Sequence, residues 1–153
     1  MRLRIHHFFD IIRDLGNNKE FVRHSYMHSY HFVAGKIIED PYVELEMIIG
    51  ADAVCKECIH LRDSRCDDII THRSDFNGKE DFNNYLDSRI MNICNIREYD
   101  ILTPAGLCLL SDKYTDNIFY IYQGNDHDHT LKRKYSVING IRRYMEIHKL
   151  NAG

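Results

Sequence analysis

The residues with the most chemistry in this chain stand together in CKECIHLRDSRC, from Cys55 to Cys66. Three thiols in one short, charged segment are there either to be bridged or to hold a metal, and three cannot pair completely. The C-x2-C step suits chelation, because two intervening residues let both sulfurs turn toward one centre while the backbone amides between them point at it. Cys66 follows a run carrying Arg62, Asp63, Ser64 and Arg65, too polar to be core. The spacing therefore predicts three soft ligands, Cys55, Cys58 and Cys66, and asks for a fourth from elsewhere. A dithiol redox pair fits less well, since no strand-then-helix pattern precedes Cys55 and Cys66 would be surplus. Cys94 and Cys108 fall among apolar residues and read as core.

Histidines and carboxylates form a second set. His6 and His7 are neighbours and read as lying on different faces of a helix, while Asp10, three residues beyond His7, shares its face. One imidazole and one carboxylate could thus reach a metal held by the thiols. The same pair reads equally well as a hydrogen-bonded cap of a first helical turn, where an acidic group is favoured. His24, His28 and His31, spaced by four and three, predict an imidazole stripe able to bind metal or to move protons near neutrality. His127 and His129 alternate with Asp126 and Asp128 ahead of the last helix, where acidic residues also serve as caps. His7, His28 and Asp10 are the candidate catalytic groups.

These groups have to be positioned by one domain, 1–153, long enough to bury a core without staples. A hydrophobic content of 44%, a charged content of 28% and a net charge of -3 describe a soluble globular chain with no general affinity for nucleic acid. Asp10 and Asp14 interrupt the apolar N-terminal run and no small-residue cleavage site follows, so a signal peptide is not expected. No stretch is long enough to span a membrane. An odd number of cysteines without a secretion signal leads us to expect the reducing cytoplasm.

Hydrophobic periodicity gives strands at Arg2–Ile5, Tyr42–Ile49 and Ile118–Tyr122. Helices are expected at His7–Leu15, stopped by Gly16, and from Ser25 to Glu39, stopped by Asp40-Pro41. Further helices are expected at Asp67–His72, from Asn77 with Glu80 through Cys94, from Thr103-Pro104, and from Thr130 to Lys149. This order predicts an α/β fold with a three-stranded, parallel sheet flanked by five or six helices. The carboxyl ends of parallel strands would then gather His6, His7 and Asp10, Asp52, Cys55 and Cys58, and Gly124 to His127 at one ligand-binding edge. The last helix carries Lys132, Arg133, Lys134, Arg142, Arg143 and Lys149 against a single Glu146, a basic face for an anionic substrate or an acidic partner. Without an aromatic strand platform, nucleic acid is the minor alternative.

LRIHHFFD near the start and GADAVCKECIHLRDSRCDD in the middle resemble a family of small bacterial and archaeal proteins with no settled activity, suspected iron–sulfur binders. Its pattern is L-R-x-H-H-x-x-C followed by D-x-x-C-x-x-C-x(n)-C, and the likeness covers roughly the first two thirds of the chain. His6, His7, Asp52, Cys55, Cys58 and Cys66 match, whereas Asp10 stands where the family has its first cysteine. The resemblance implies a 4Fe-4S cluster on Cys55, Cys58 and Cys66 with Asp10 as a weak fourth ligand or beside an open iron. Such a site suits activation of a small polar or sulfur-bearing substrate, or sensing of an oxidant, better than simple electron transfer. The alternative is tetrahedral zinc on the same thiols in an interaction module whose basic last helix docks on an anionic partner.

Overall fold

A computed structural model of the protein describes residues 1–151. Its organising element is a helix whose first turn carries the two adjacent histidines. Strand β1 (Arg2–Leu3) runs directly into α1 (Ile5–Gly16), where Ile5, Phe8, Phe9, Ile11, Ile12 and Leu15 are buried. An irregular arm, 17–29, precedes α2 (Tyr30–Glu39). Strand β2 (Leu45–Met47) follows, then a 3₁₀ turn over Ala53–Cys55, and a hairpin made of β3 (Leu61–Arg62) and β4 (Arg65–Cys66). The chain continues through α3 (Lys79–Cys94), β5 (Ile101–Leu102), α4 (Pro104–Leu109), α5 (Ser111–Asp116), α6 (Ile118–Ile121) and α7 (His127–His148).

α1 lies against α7 at unusually short range. A Cβ on Gly140 would fall 1.9 Å from the Ile12 carbonyl oxygen, and one on Gly16 would fall 2.1 Å from that of Ser136. Only glycine permits this approach of backbone to backbone. The core grows from the contact: Phe9 stacks on Tyr114 with ring centroids 3.8 Å apart, and Tyr144, fully buried, donates its hydroxyl to the Ile37 carbonyl. Cys94 and Cys108 are both buried in this core.

The mixed α/β character and a small three-stranded sheet are as expected, but the sheet is not parallel throughout. β1 pairs with β2 in parallel, Arg2 opposite Glu46, and β2 pairs with β5 antiparallel, Leu45 opposite Leu102. The expected third strand, Ile118–Tyr122, is instead the helix α6. A short apolar run has no decisive period; here Ile118 and Ile121 are buried while Phe119 and Tyr120 are 40% and 49% exposed, the i, i+3 pattern of a helix. The third strand is β5 instead, two residues long and too short to announce itself.

Three helix boundaries also differ. The second helix starts at Tyr30 rather than Ser25, the third at Lys79 after Gly78 rather than at an Asn77 cap, and the last at His127 rather than Thr130; the helix expected over Asp67–His72 does not form. Seven helices are described, because α5 and α6 interrupt the segment read as helix and strand.

Candidate functional site

The parallel pair β1 and β2 delivers the chain to one edge, as the sequence predicts for its first two clusters. There the first turn of α1, the segment 52–68, the arm 17–29 and the start of α3 enclose a cavity of about 440 Å³. His6, His7, Asp10, His24, His28, Cys55, Cys58 and Cys66, all named above from the sequence, line it together. His60, which lies inside the cysteine segment and was not singled out there, lines it as well.

The first turn of α1 has no side-chain cap of its own. Two carboxylates from distant parts of the chain take that role, answering backbone N–H groups that a helix start leaves unpaired. Asp52 accepts from the Arg4 N–H at 2.8 Å, and Asp87 accepts from the His6 N–H at 3.1 Å. The same carboxylates hold the adjacent imidazoles: His7 Nδ1 is 2.8 Å from Asp52 Oδ2, and His6 Nδ1 is 2.7 Å from Asp87 Oδ1. With Nδ1 donating to a carboxylate, each ring has Nε2 left as a lone-pair nitrogen, the arrangement that orients histidine as a ligand or base.

His6 and His7 thus share one cavity, with ring centroids 4.2 Å apart, although their adjacency predicts different faces. The face argument applies to the side of a helix. At the first turn no preceding turn separates neighbours, and two fixed acceptors draw both rings inward.

Beneath the rings, the Arg4 guanidinium is 1% exposed and bonds to Asp87 at 2.8 Å, Glu80 at 3.1 Å and Asn84 at 2.9 Å. Glu80 also accepts from the Cys66 backbone N–H at 3.0 Å, which ties the hairpin to the same buried ionic cluster. Burial would pull the His7 imidazole below its usual range, but the charge and hydrogen bond of Asp52 outweigh it and raise it. Burial acts on Asp52 in the opposite sense and is likewise outweighed, chiefly by His7, so that its carboxyl falls to about 2.

The thiols are placed by two left-handed turn geometries. In Cys55 to Cys58, Lys56 has φ -55° and ψ 130° and Glu57 has φ 65°, a type II turn closed by the Cys58 N–H donating to the Cys55 carbonyl at 3.0 Å. In the hairpin, Asp63 and Ser64 both take positive φ, 47° and 63°, the type I′ connection of two antiparallel strands. It brings Cys66 opposite Leu61, whose N–H donates to the Cys58 carbonyl. Cys55, Cys58 and Cys66 are free and partly exposed. Burial, and then the charge of Asp52, push the Cys55 thiol up to about 12; burial also raises Cys66. The protein's own charges therefore do not prepare Cys55 as a thiolate nucleophile.

Asp10 sits in the same cavity but is already engaged. Its Oδ1 lies 3.1 Å from Arg13 Nη1 and 2.6 Å from Arg133 Nη1 on α7. Burial would raise its carboxyl, and the two guanidiniums hold it far below the usual range instead. Arg133 is thus withdrawn from the basic face expected on the last helix, while Arg143 stays exposed there and donates to the Leu15 carbonyl.

The histidine stripe does not form, because 24 and 28 precede the helix. His24 and His28 belong to the arm, which is pinned to the cysteine segment by Ile59 N–H to the Tyr26 carbonyl and Ser29 N–H to the Val54 carbonyl. They stack at 4.5 Å, and their Nδ1 atoms accept from the N–H groups of Tyr26 and Tyr30. In the neutral rings the proton is then on Nε2, complementary to His6 and His7. Burial, then His24, lowers His28. His31 lies in α2 beside a different cavity, its Nδ1 buried without a partner among the described residues. His127 stacks on Phe119 outside the site.

The donor chemistry of Cys55, Cys58 and Cys66 fits a soft metal centre, since all three thiols look into one cavity and none is bridged. They do not form a closed shell: among the described residues no three His, Cys, Asp or Glu side chains are gathered tightly enough to hold a metal ion. No helix among those residues is long and apolar enough to cross a membrane. Compared with known proteins, the chain matches no family model, no curated sequence and no solved structure, so the likeness to the suspected iron–sulfur family rests on the motifs themselves.

Proposed function

We propose that this cavity is the centre of a metalloprotein in which Cys55, Cys58 and Cys66 hold an iron–sulfur cluster of the four-iron type, facing an imidazole-lined pocket for a small polar molecule. The observation that carries this reading is the convergence of three separately positioned thiols on the cavity that also contains His6, His7, His24 and His28. Bound there, a cluster with one iron not ligated by cysteine supplies Lewis acidity toward a polar or sulfur-bearing group.

The chain's own residues do the rest. Asp52 fixes the His7 tautomer, leaving Nε2 to take a proton, while His28 offers Nε2–H from the opposite wall. Asp10, held between Arg13 and Arg133, acts beside the open position and not as the fourth ligand.

Anaerobically purified protein should be brown, with iron and acid-labile sulfide. Replacing Cys55, Cys58 or Cys66 by Ser should remove both, whereas Cys94→Ser and Cys108→Ser should keep them. Colourless protein free of iron would refute the cluster.

One observation favours zinc as a second reading. His60 lies between Cys58 and Cys66, and its Nδ1 is 2.8 Å from Asp67 Oδ1, the carboxylate–imidazole pairing that orients zinc-bound histidine. In that case zinc would copurify at one per chain and His60→Ala would lower its retention.

A further inference from the structure

A smaller cavity, about 260 Å³, adjoins the first and shares His6, Asp10, Lys79 and Asn83 with it. Its other polar walls are His72 from the loop before α3, Asn125 from the turn before α7, and His129 and Arg133 from α7 itself. The two cavities differ in how many carboxylates line them. Asp10, Asp14 and Asp68 line the larger one together with Arg4, Arg13, Lys19 and Lys79, and Lys19 and Lys79 answer Asp14 and Asp68. Only one carboxylate, Asp10, lines the smaller, and it is already shared by Arg13 and Arg133. The Asn125 carbonyl oxygen is taken by Arg73, which leaves its NH₂ group to face other partners. His72 is lowered by burial and then by Arg73, His129 and Lys79, with no acidic group opposing them. Lys79 and Arg133, each holding a carboxylate through one of several N–H groups, thus reach this cavity with the Asn125 amide and the His72 and His129 rings, and a single engaged carboxylate lines it, a composition that suits an oxyanion.

We infer that the smaller cavity binds the phosphate group of a small phosphorylated molecule whose remainder extends past His6 and Asp10 into the thiol and imidazole pocket. Donors arriving from separate directions suit a tetrahedral group better than a planar carboxylate. This deepens the proposed function by naming a substrate class, and it rests on that reading only for the fate of the molecule's other end. Phosphate binding itself needs no metal.

The test is titration of the protein with inorganic phosphate and with glycerol phosphate, followed by the imidazole proton resonances. Saturable shifts of His72 and His129 are expected with both probes, with glycerol phosphate also moving His24 or His28. The His72→Gln/His129→Gln double variant should bind at least tenfold more weakly, and His127→Gln should bind as the parent does. The Cys55→Ser/Cys58→Ser/Cys66→Ser variant should still bind phosphate, so loss of the cluster reading leaves this result intact. Absence of saturable shifts, or equal affinity in the double variant, overturns the site. Binding of inorganic phosphate with no binding of glycerol phosphate overturns the phosphorylated-substrate assignment.

Discussion

Arg133 Nη1 stands 2.6 Å from Asp10 Oδ1, joining the last helix to the first at the wall between two cavities. The contact spans 123 residues of sequence, and it places a carboxylate that could have been a ligand inside a guanidinium pair. The Arg133 and Asp10 side chains are 12% and 21% exposed, so the pair is well shielded from water.

Asp10→Asn should therefore destabilise the protein by about 2–3 kcal/mol, because it leaves Arg133 buried without its counter-charge. Denaturant unfolding measures this, with the midpoint falling and the slope unchanged. An unchanged midpoint would show the pair to be dispensable. Asp10→Cys should cost stability similarly and, on the proposed cluster reading, should retain iron more firmly under chelation, since it adds a fourth thiol to the same cavity.

The two partners of the His7–Asp52 pair give opposite pH dependences. Asp52 is ionised more readily folded than unfolded, so its contribution is in force above about pH 4 and is lost as pH falls from about 4 toward its folded value. With that value at about 2, the loss amounts to about 2 kcal/mol. His7 has a raised pKa, so its contribution is full below about pH 6.5 and disappears as pH rises through the folded value. In Asp52→Asn the acid-side loss should become shallower and the His7 imidazole should titrate lower, as burial is then opposed only by the more distant Asp10 and Asp87. Histidine resonances followed against pH check both signs; a His7 titration unmoved by the substitution would contradict the pairing.

Gly140→Ala should be among the most destabilising single-methyl additions in the chain, about 3 kcal/mol, because its Cβ would meet the Ile12 carbonyl and not a flexible side-chain end. Gly35→Ala is the control, since nothing lies within 4 Å of its Cβ and a helical alanine is favoured over glycine there. Thermal midpoints should move in opposite directions; parallel shifts would argue against a close α1–α7 contact.

The hairpin beside Cys66 can be improved. Asp63→Asn with Ser64→Gly supplies the residues best suited to two consecutive positive φ angles and should stabilise by about 1 kcal/mol. If the hairpin positions Cys66 for a metal, the same variant should release metal to a chelator more slowly. Faster release at higher thermal stability would separate the turn from the metal site.

Sequence alone was sufficient wherever chemistry was local. The C-x2-C turn, the polar run before Cys66, the apolar face of α1 and the burial of Cys94 and Cys108 are set by spacing within one element, and the parallel entry of β1 and β2 brings two predicted clusters to one edge. What required the tertiary structure were the long-range partners. Asp87 and Asp52 cap a helix 81 and 45 residues away from them through His6 and His7, Arg133 claims Asp10, and the arm carries His24 and His28 without helical structure. Periodicity reports which face of an element is apolar, but a buried ion or imidazole takes its state from whichever counter-charge folding brings within hydrogen-bond reach. For the same reason Ile118–Ile121 resolves into a helix only once its two faces have different neighbours.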